Sequence, residues 1–246
     1  MTSQRVIVVE GFLDRAFLAG FLKRSKCTPL GAHGAPPPKD PWGAKVAGGQ
    51  YAYQSPTGVF VRVVHSNGDG GIDRNVQLYA KDAITKPIDL LLAVVDPDVV
   101  AQADWLGPVK SKVRTLAAKC SGSVDSQNPR AFVVPGVGHA ELGVWATDEV
   151  DPQLPQKQTL ERLVVAAIAD AEPARFAHVV KFLNSRPAPP PAQGKEEAMA
   201  LMAGWFSWRL SEGFFEAVWE ESAVAAALEA RLLKSGLLPA LQMLAR

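Results

Sequence analysis

A chain of 246 residues with 48% hydrophobic content is long enough for one large α/β domain, or for a core domain with a smaller appendage. Its 26 Lys and Arg against 25 Asp and Glu exclude broad electrostatic coating of nucleic acid, leaving only a local basic surface open. Two cysteines, Cys27 and Cys120, exclude a disulfide framework and a Cys-rich zinc site, so a reduced cytoplasmic protein is expected.

Residues 6–9 are a short β-branched run, typical of a parallel strand covered on both faces. Glu10 follows at the strand's carboxyl end and Gly11 permits a turn. Phe12, Leu13, Phe17, Leu18, Phe21 and Leu22 then recur at helical spacing, which predicts that Asp14, Arg15 and Lys23 face water. Acids at Glu10 and Asp14 interrupt the apolar run, so no signal peptide is expected, and no stretch is apolar enough to predict a membrane span. Residues 27–47, with Pro29, Gly31 and Pro36-Pro37-Pro38, read as a long loop. Residues 51–54 are expected to pair briefly with a strand over 59–65, followed by a flexible turn over 66–71 and a crossover helix over 72–83.

Residues 88–95, IDLLLAVV, are the most apolar strand and run straight into Asp96-Pro97-Asp98. A helix over 105–118 follows, carrying Leu106, Val109, Val113, Leu116 and Ala117 at helical spacing; Asp104 suits its N-cap. Further strands are expected over 131–134 and 142–146. Strands alternating with helices through residue 134 predict a parallel, three-layer α/β domain over residues 1–150. Helices over 159–169 and 173–184, a proline tract over 186–194, and helices over 195–208 and 214–244, with a break at Ser235-Gly236, predict a helical C-terminal extension.

The strongest chemical signal is Asp96 and Asp98. Alternate residues of an extended chain point to one face, so the pair can aim two carboxylates into the crevice beyond the strand ends. Hard oxygen ligands without His or Cys suit magnesium or manganese. A solvated Asp-Pro-Asp turn explains the same residues without chemistry. Lys110 and Arg114, at i and i+4 on the predicted helix, are the best pair for contacting phosphate, and solvating the helix is the plain alternative. Gly136 and Gly138 do not complete a dinucleotide-binding fingerprint, and His139 and Glu141 lack the cysteines of a zinc deaminase.

An acid after the first strand, VIVVEG over 6–11, and an acid pair after a later apolar strand, AVVDPD over 93–98, resemble the two motifs of the Toprim domain. Residues 142–163 are similar to a group of small stand-alone bacterial Toprim proteins related to OLD-family nucleases, clearest at Gly143-Val144-Trp145 and Leu160-Glu161. Thr147-Asp148 stands where that group has Pro-Asp, and Gln158 where it has glycine. The resemblance implies a Toprim-like (Rossmann-like) parallel sheet flanked by helices. It implies that Glu10 acts in acid/base chemistry or metal binding, that Asp96 and Asp98 hold Mg2+ (or Mn2+), and that Glu161 is an additional ligand, Asp148 being a weaker candidate. A solvated acid in the first helical turn is the alternative for Glu161; Asp14, one helical turn beyond Glu10, either joins the cluster or points outward, and its place by the first-turn dipole favours outward. The activity so implied is metal-dependent cleavage of DNA or RNA, in DNA processing or phage defence, with a partner protein or homodimer possible. A non-catalytic metal- or partner-binding protein and a small-molecule phosphohydrolase are the alternatives.

Overall fold

Val6 and Val8 are buried in one apolar cluster and Ile7 and Val9 in another, as a strand with both faces covered requires. The computed structural model describes residues 3–31, 36–47, 50–97, 105–146, 151, 153–185, 187, 194–205 and 211–246. That first strand is β1 (Gln4–Val9), leading into α1 (Phe12–Arg24), β2 (Thr28–Pro29), β3 (Tyr51–Gln54), β4 (Phe60–His65) and α2 (Asp69–Asp82). There follow β5 (Ile88–Val95), α3 (Leu106–Lys119), β6 (Ser123–Val124), β7 (Ala131–Val133) and β8 (Val137–Val144). The described chain then continues as α4 (Leu160–Ala171), α5 (Pro173–Asn184), α6 (Lys195–Trp205), α7 (Ser211–Ala217), α8 (Ser222–Lys234) and α9 (Leu238–Ala245). Residue 104 and most of the 186–194 proline tract lie outside the described residues.

One eight-stranded sheet has the order β2-β3-β4-β1-β5-β8-β7-β6. The four central strands are parallel, while β2, β3, β7 and β6 pair antiparallel at the two edges. The expectation of a parallel sheet is therefore corrected to a mixed one. The strand expected over 131–134 is not the fourth parallel strand; β7 runs antiparallel to its neighbour β8. The reversal between them passes through Gly136, whose φ is +78° and whose Cβ, if it had one, would lie 2.5 Å from Ala83 O. The strand expected over 142–146 instead runs over Val137–Val144; its first half, with Gly138, His139 and Glu141, lacks the apolar signature that marks the second.

The two sheet faces are covered differently. Residues of α2 and α3 share the cluster of Val6 and Val8. Residues of α1 share the other cluster with α4, α5, α6, α7, α8 and α9, so the C-terminal helices complete the layer that α1 begins. That burial corrects a second expectation. Asp14 and Arg15 do not face water; each is 7% exposed. Lys23 does remain exposed, paired with Glu216. Where α1 meets the next layer, Trp219 packs against Phe17 and Phe21 with ring centroids 5.0 and 5.3 Å apart.

The helices α1 and α7 approach closely at Gly20. A Cβ there would lie 2.3 Å from Glu216 O and 2.5 Å from Trp219 Cδ1. Gly20→Ala is expected to destabilise the fold by about 1–3 kcal/mol, as overpacking does. The measurement is the urea midpoint, and an unchanged midpoint would show that α7 yields freely.

The chain leaves β1 through α1 on one face and returns in β4, to one side of β1. It leaves β5 through α3 on the other face and returns in β8, to the opposite side of β5. The crevice between the carboxyl ends of β1 and β5 is thus the topological switch point, where open α/β sheets bind ligands.

Candidate functional site

Glu10 and Asp96 are the first residues beyond β1 and β5, and those strands pair in register with Val9 opposite Val94. The two acids therefore stand at neighbouring strand ends. The Asp96 backbone N–H donates to Glu10 Oε1 at 2.9 Å. This fixes the glutamate at the mouth of the crevice.

Asp96 is the hub. Its side chain is 5% exposed and pairs with Lys195 Nζ at 2.5 Å through Oδ2. Its Oδ1 accepts from the Leu160 N–H at 2.8 Å, placing a carboxylate at the positive end of α4. Thr159 caps that helix by accepting from the Arg162 N–H. Glu161, in the first turn of α4, is 5% exposed and so is not a solvated acid. Its Oε2 is buried without a hydrogen-bond partner. Burial, and after it the charge of Asp96, raises the pKa of Glu161, while Lys195 works in the opposite direction.

Asp14, one helical turn after Glu10, completes the group. Trp145 Nε1 donates to its Oδ1 at 2.6 Å and the Gly11 N–H to its Oδ2 at 2.9 Å. Burial first, then the nearby charges of Asp96 and Glu10, pushes its pKa up to about 8 despite those two hydrogen bonds. Trp145 is fully buried, and its backbone N–H donates to Val95 O at 3.1 Å, so the end of β8 is tied to the end of β5. Three neighbouring strand ends therefore each contribute to one acidic cluster.

Asp98 and Asp148 lie outside the described residues. Lys110 and Arg114 are exposed on α3, and the α3 cation that lines the cleft beside Glu10 and Asp96 is Lys112. Sequence reasoning missed Lys195 and Trp145 as partners of the acids. Asp14 carried a usable signal, its i+4 spacing from Glu10, while Lys195 meets Asp96 across 99 positions and carried none.

Among the described residues, no three His, Cys, Asp or Glu side chains already stand as a ready metal-ligand set. The donors nonetheless suit a hard cation: they are carboxylates, Glu161 has a buried oxygen with no hydrogen-bond partner, and an ammonium already sits on Asp96.

No protein-family model matches the chain. No curated protein matches it either. Its architecture is similar to the crystal structure of hypothetical protein PH0156 from Pyrococcus horikoshii OT3, with a TM-score of 0.66 and 15% identity over 100% of both chains. That likeness shows a shared mixed α/β fold that includes the C-terminal helices.

Proposed function

We propose that the protein is a Toprim-like nuclease that hydrolyses nucleic-acid phosphodiesters with Mg2+ or Mn2+. The observation that carries this reading is Glu10 and Asp96 side by side at the switch point, backed by the buried, unpartnered oxygen of Glu161. Asp96 and Glu161 would hold the cation, joined by Asp14 when it ionises, and by Asp98 as the Toprim resemblance implies. When bound, the cation supplies Lewis-acid stabilisation of charge on the phosphoryl oxygens. Glu10, oriented by the Asp96 N–H, would take a proton from a water whose oxygen bonds to phosphorus as the P–O bond to the leaving oxygen breaks, that oxygen departing with the electron pair and taking its proton from solvent. Lys195 offsets part of the negative charge on Asp96 and Glu161.

One observation favours the non-catalytic reading. The Lys195–Asp96 pair already satisfies the central carboxylate, as a purely structural ion pair would. Incubating the protein with labelled single-stranded and duplex DNA and RNA, in Mg2+, Mn2+ or EDTA, separates the two. Cleavage in Mn2+ or Mg2+ that stops in EDTA is the expected result. No cleavage of any substrate, with no binding heat for either metal in calorimetry, would reject the enzyme and leave a scaffold.

A further inference from the structure

The cleft lined by Glu10 and Asp96 has a second wall of opposite sign. Its volume is about 270 Å³, and Pro108, Val109 and Lys112 of α3 line it together with the two acids and Leu142. The Lys112 side chain is 20% exposed, and its Nζ pairs with Asp73 Oδ1 on α2 at 2.7 Å. Lys119 holds the other oxygen of Asp73. One carboxylate between two ammonium groups leaves the α2–α3 seam net positive and fixes where Lys112 stands. The first turns of α3 also face the cleft, so the positive end of that helix dipole adds to the same wall. Lys110 and Arg114 share the helix but not the lining.

We propose that Lys112, positioned by Asp73, anchors a phosphate in this cleft, and that the cleft takes a single unpaired nucleotide unit rather than a base-paired duplex. The proposal deepens the nuclease reading and rests on it for the chemistry, though not for the binding. Small-molecule sites typically enclose about 300–1,000 Å³, so this cleft is at the small end and matches one nucleotide unit, not two paired strands. Pro97 and Pro108, the apolar lining residues that are not buried, offer van der Waals contact to a base or sugar. The acids alone would repel a phosphate. A lysine on the facing helix attracts it without depending on a cation held by those acids. Such a unit comes either from the end or a bulge of a single strand, or from a free nucleotide.

The test is a binding measurement in EDTA and, separately, in Ca2+. Fluorescence anisotropy follows a labelled single-stranded oligodeoxythymidylate and a duplex of equal length, while calorimetry follows thymidine 5′-monophosphate. Lys112→Ala is expected to weaken single-strand binding about tenfold and to lower the salt slope by about one, the signature of one lost phosphate contact. Lys112→Arg is expected to keep most of the affinity, Asp73→Asn to lose part of it, and the Lys110→Ala/Arg114→Ala double variant to lose less than Lys112→Ala. A Lys112 effect on thymidine monophosphate but not on the oligonucleotide assigns the site to free nucleotides. Unchanged affinity and salt slope in Lys112→Ala, duplex binding as tight as single-strand binding, or no binding of any probe by the unaltered protein overturns the proposal. Failure of cleavage with every metal would reject the nuclease reading and leave these binding outcomes readable.

Discussion

Glu10→Gln is expected to lower metal-dependent cleavage by about 10²–10⁴-fold, the range that general acid–base catalysis supplies, and Asp96→Asn to lower it at least as much by weakening the hold on the cation. The two substitutions act through different steps. Gln at position 10 keeps an oxygen to accept from the Asp96 N–H, so the strand-end geometry survives while the proton acceptor is lost. Asn at position 96 keeps an oxygen for the Leu160 N–H but loses the charge that pairs with Lys195 and that would hold the cation. Metal affinity by calorimetry should therefore fall more for Asp96→Asn than for Glu10→Gln. The double variant is expected to be little worse than either single one, because groups acting as a unit are not additive. Thermal melts of all three proteins exclude simple unfolding. Wild-type cleavage by either single variant would end the assignment of these acids to the chemistry.

The positions of Glu10 and Asp96 were legible because they depend on local pattern. A β-branched run, an acid and a glycine place Glu10 at a strand end, and the apolar run ending at Val95 does the same for Asp96. That the two strands are neighbours was not legible, because the same alternation of strands and helices allows β4 to stand between β1 and β5; the sheet order supplies it. Asp14 was misread for a physical reason. On an isolated helix it lies beside Arg15 on what looks like a polar face, but α1 is enclosed by tertiary packing, and Trp145 approaches from 131 positions away. Lys195 shows the same limit more sharply, since nothing local in a helix-opening lysine announces a buried carboxylate. The mixed sheet was missed because β8 opens with polar residues, two of which, His139 and Glu141, contact each other across 3.0 Å on one side of the strand. Glu161 was legible as an acid in a first helical turn. Its burial was not, because the cover comes from helices packed around α4, among them α6 and α8.

Without added metal, stability is expected to fall as pH rises from about 5 to 8, and Asp14→Asn is expected to flatten that fall. The folded pKa of Asp14 is raised from its ordinary value of 3.8 to about 8, so the folded state holds a proton that the unfolded chain has already released. A raised carboxyl gives its full relative stability below the unfolded value and loses it as pH climbs through the folded one. The slope over the interval is about 1.4 kcal/mol per pH unit, giving up to about 4 kcal/mol between pH 5 and 8. Asn at this position accepts through only one atom, leaving either Trp145 Nε1 or the Gly11 N–H unpaired, at a pH-independent cost of about 1–3 kcal/mol. The diagnostic is therefore the slope and not the absolute stability. Glu161 is shifted in the same direction, so a smaller slope should remain in the variant. Urea unfolding at each pH provides the measurement. Adding Mg2+ to the unaltered protein should reduce the slope as well, because a cation favours the ionised carboxylates and binding releases their protons. Equal slopes for Asp14→Asn and the unaltered protein would show that Asp14 is already ionised across this range, and that the acidic cluster carries its charge without help from a cation.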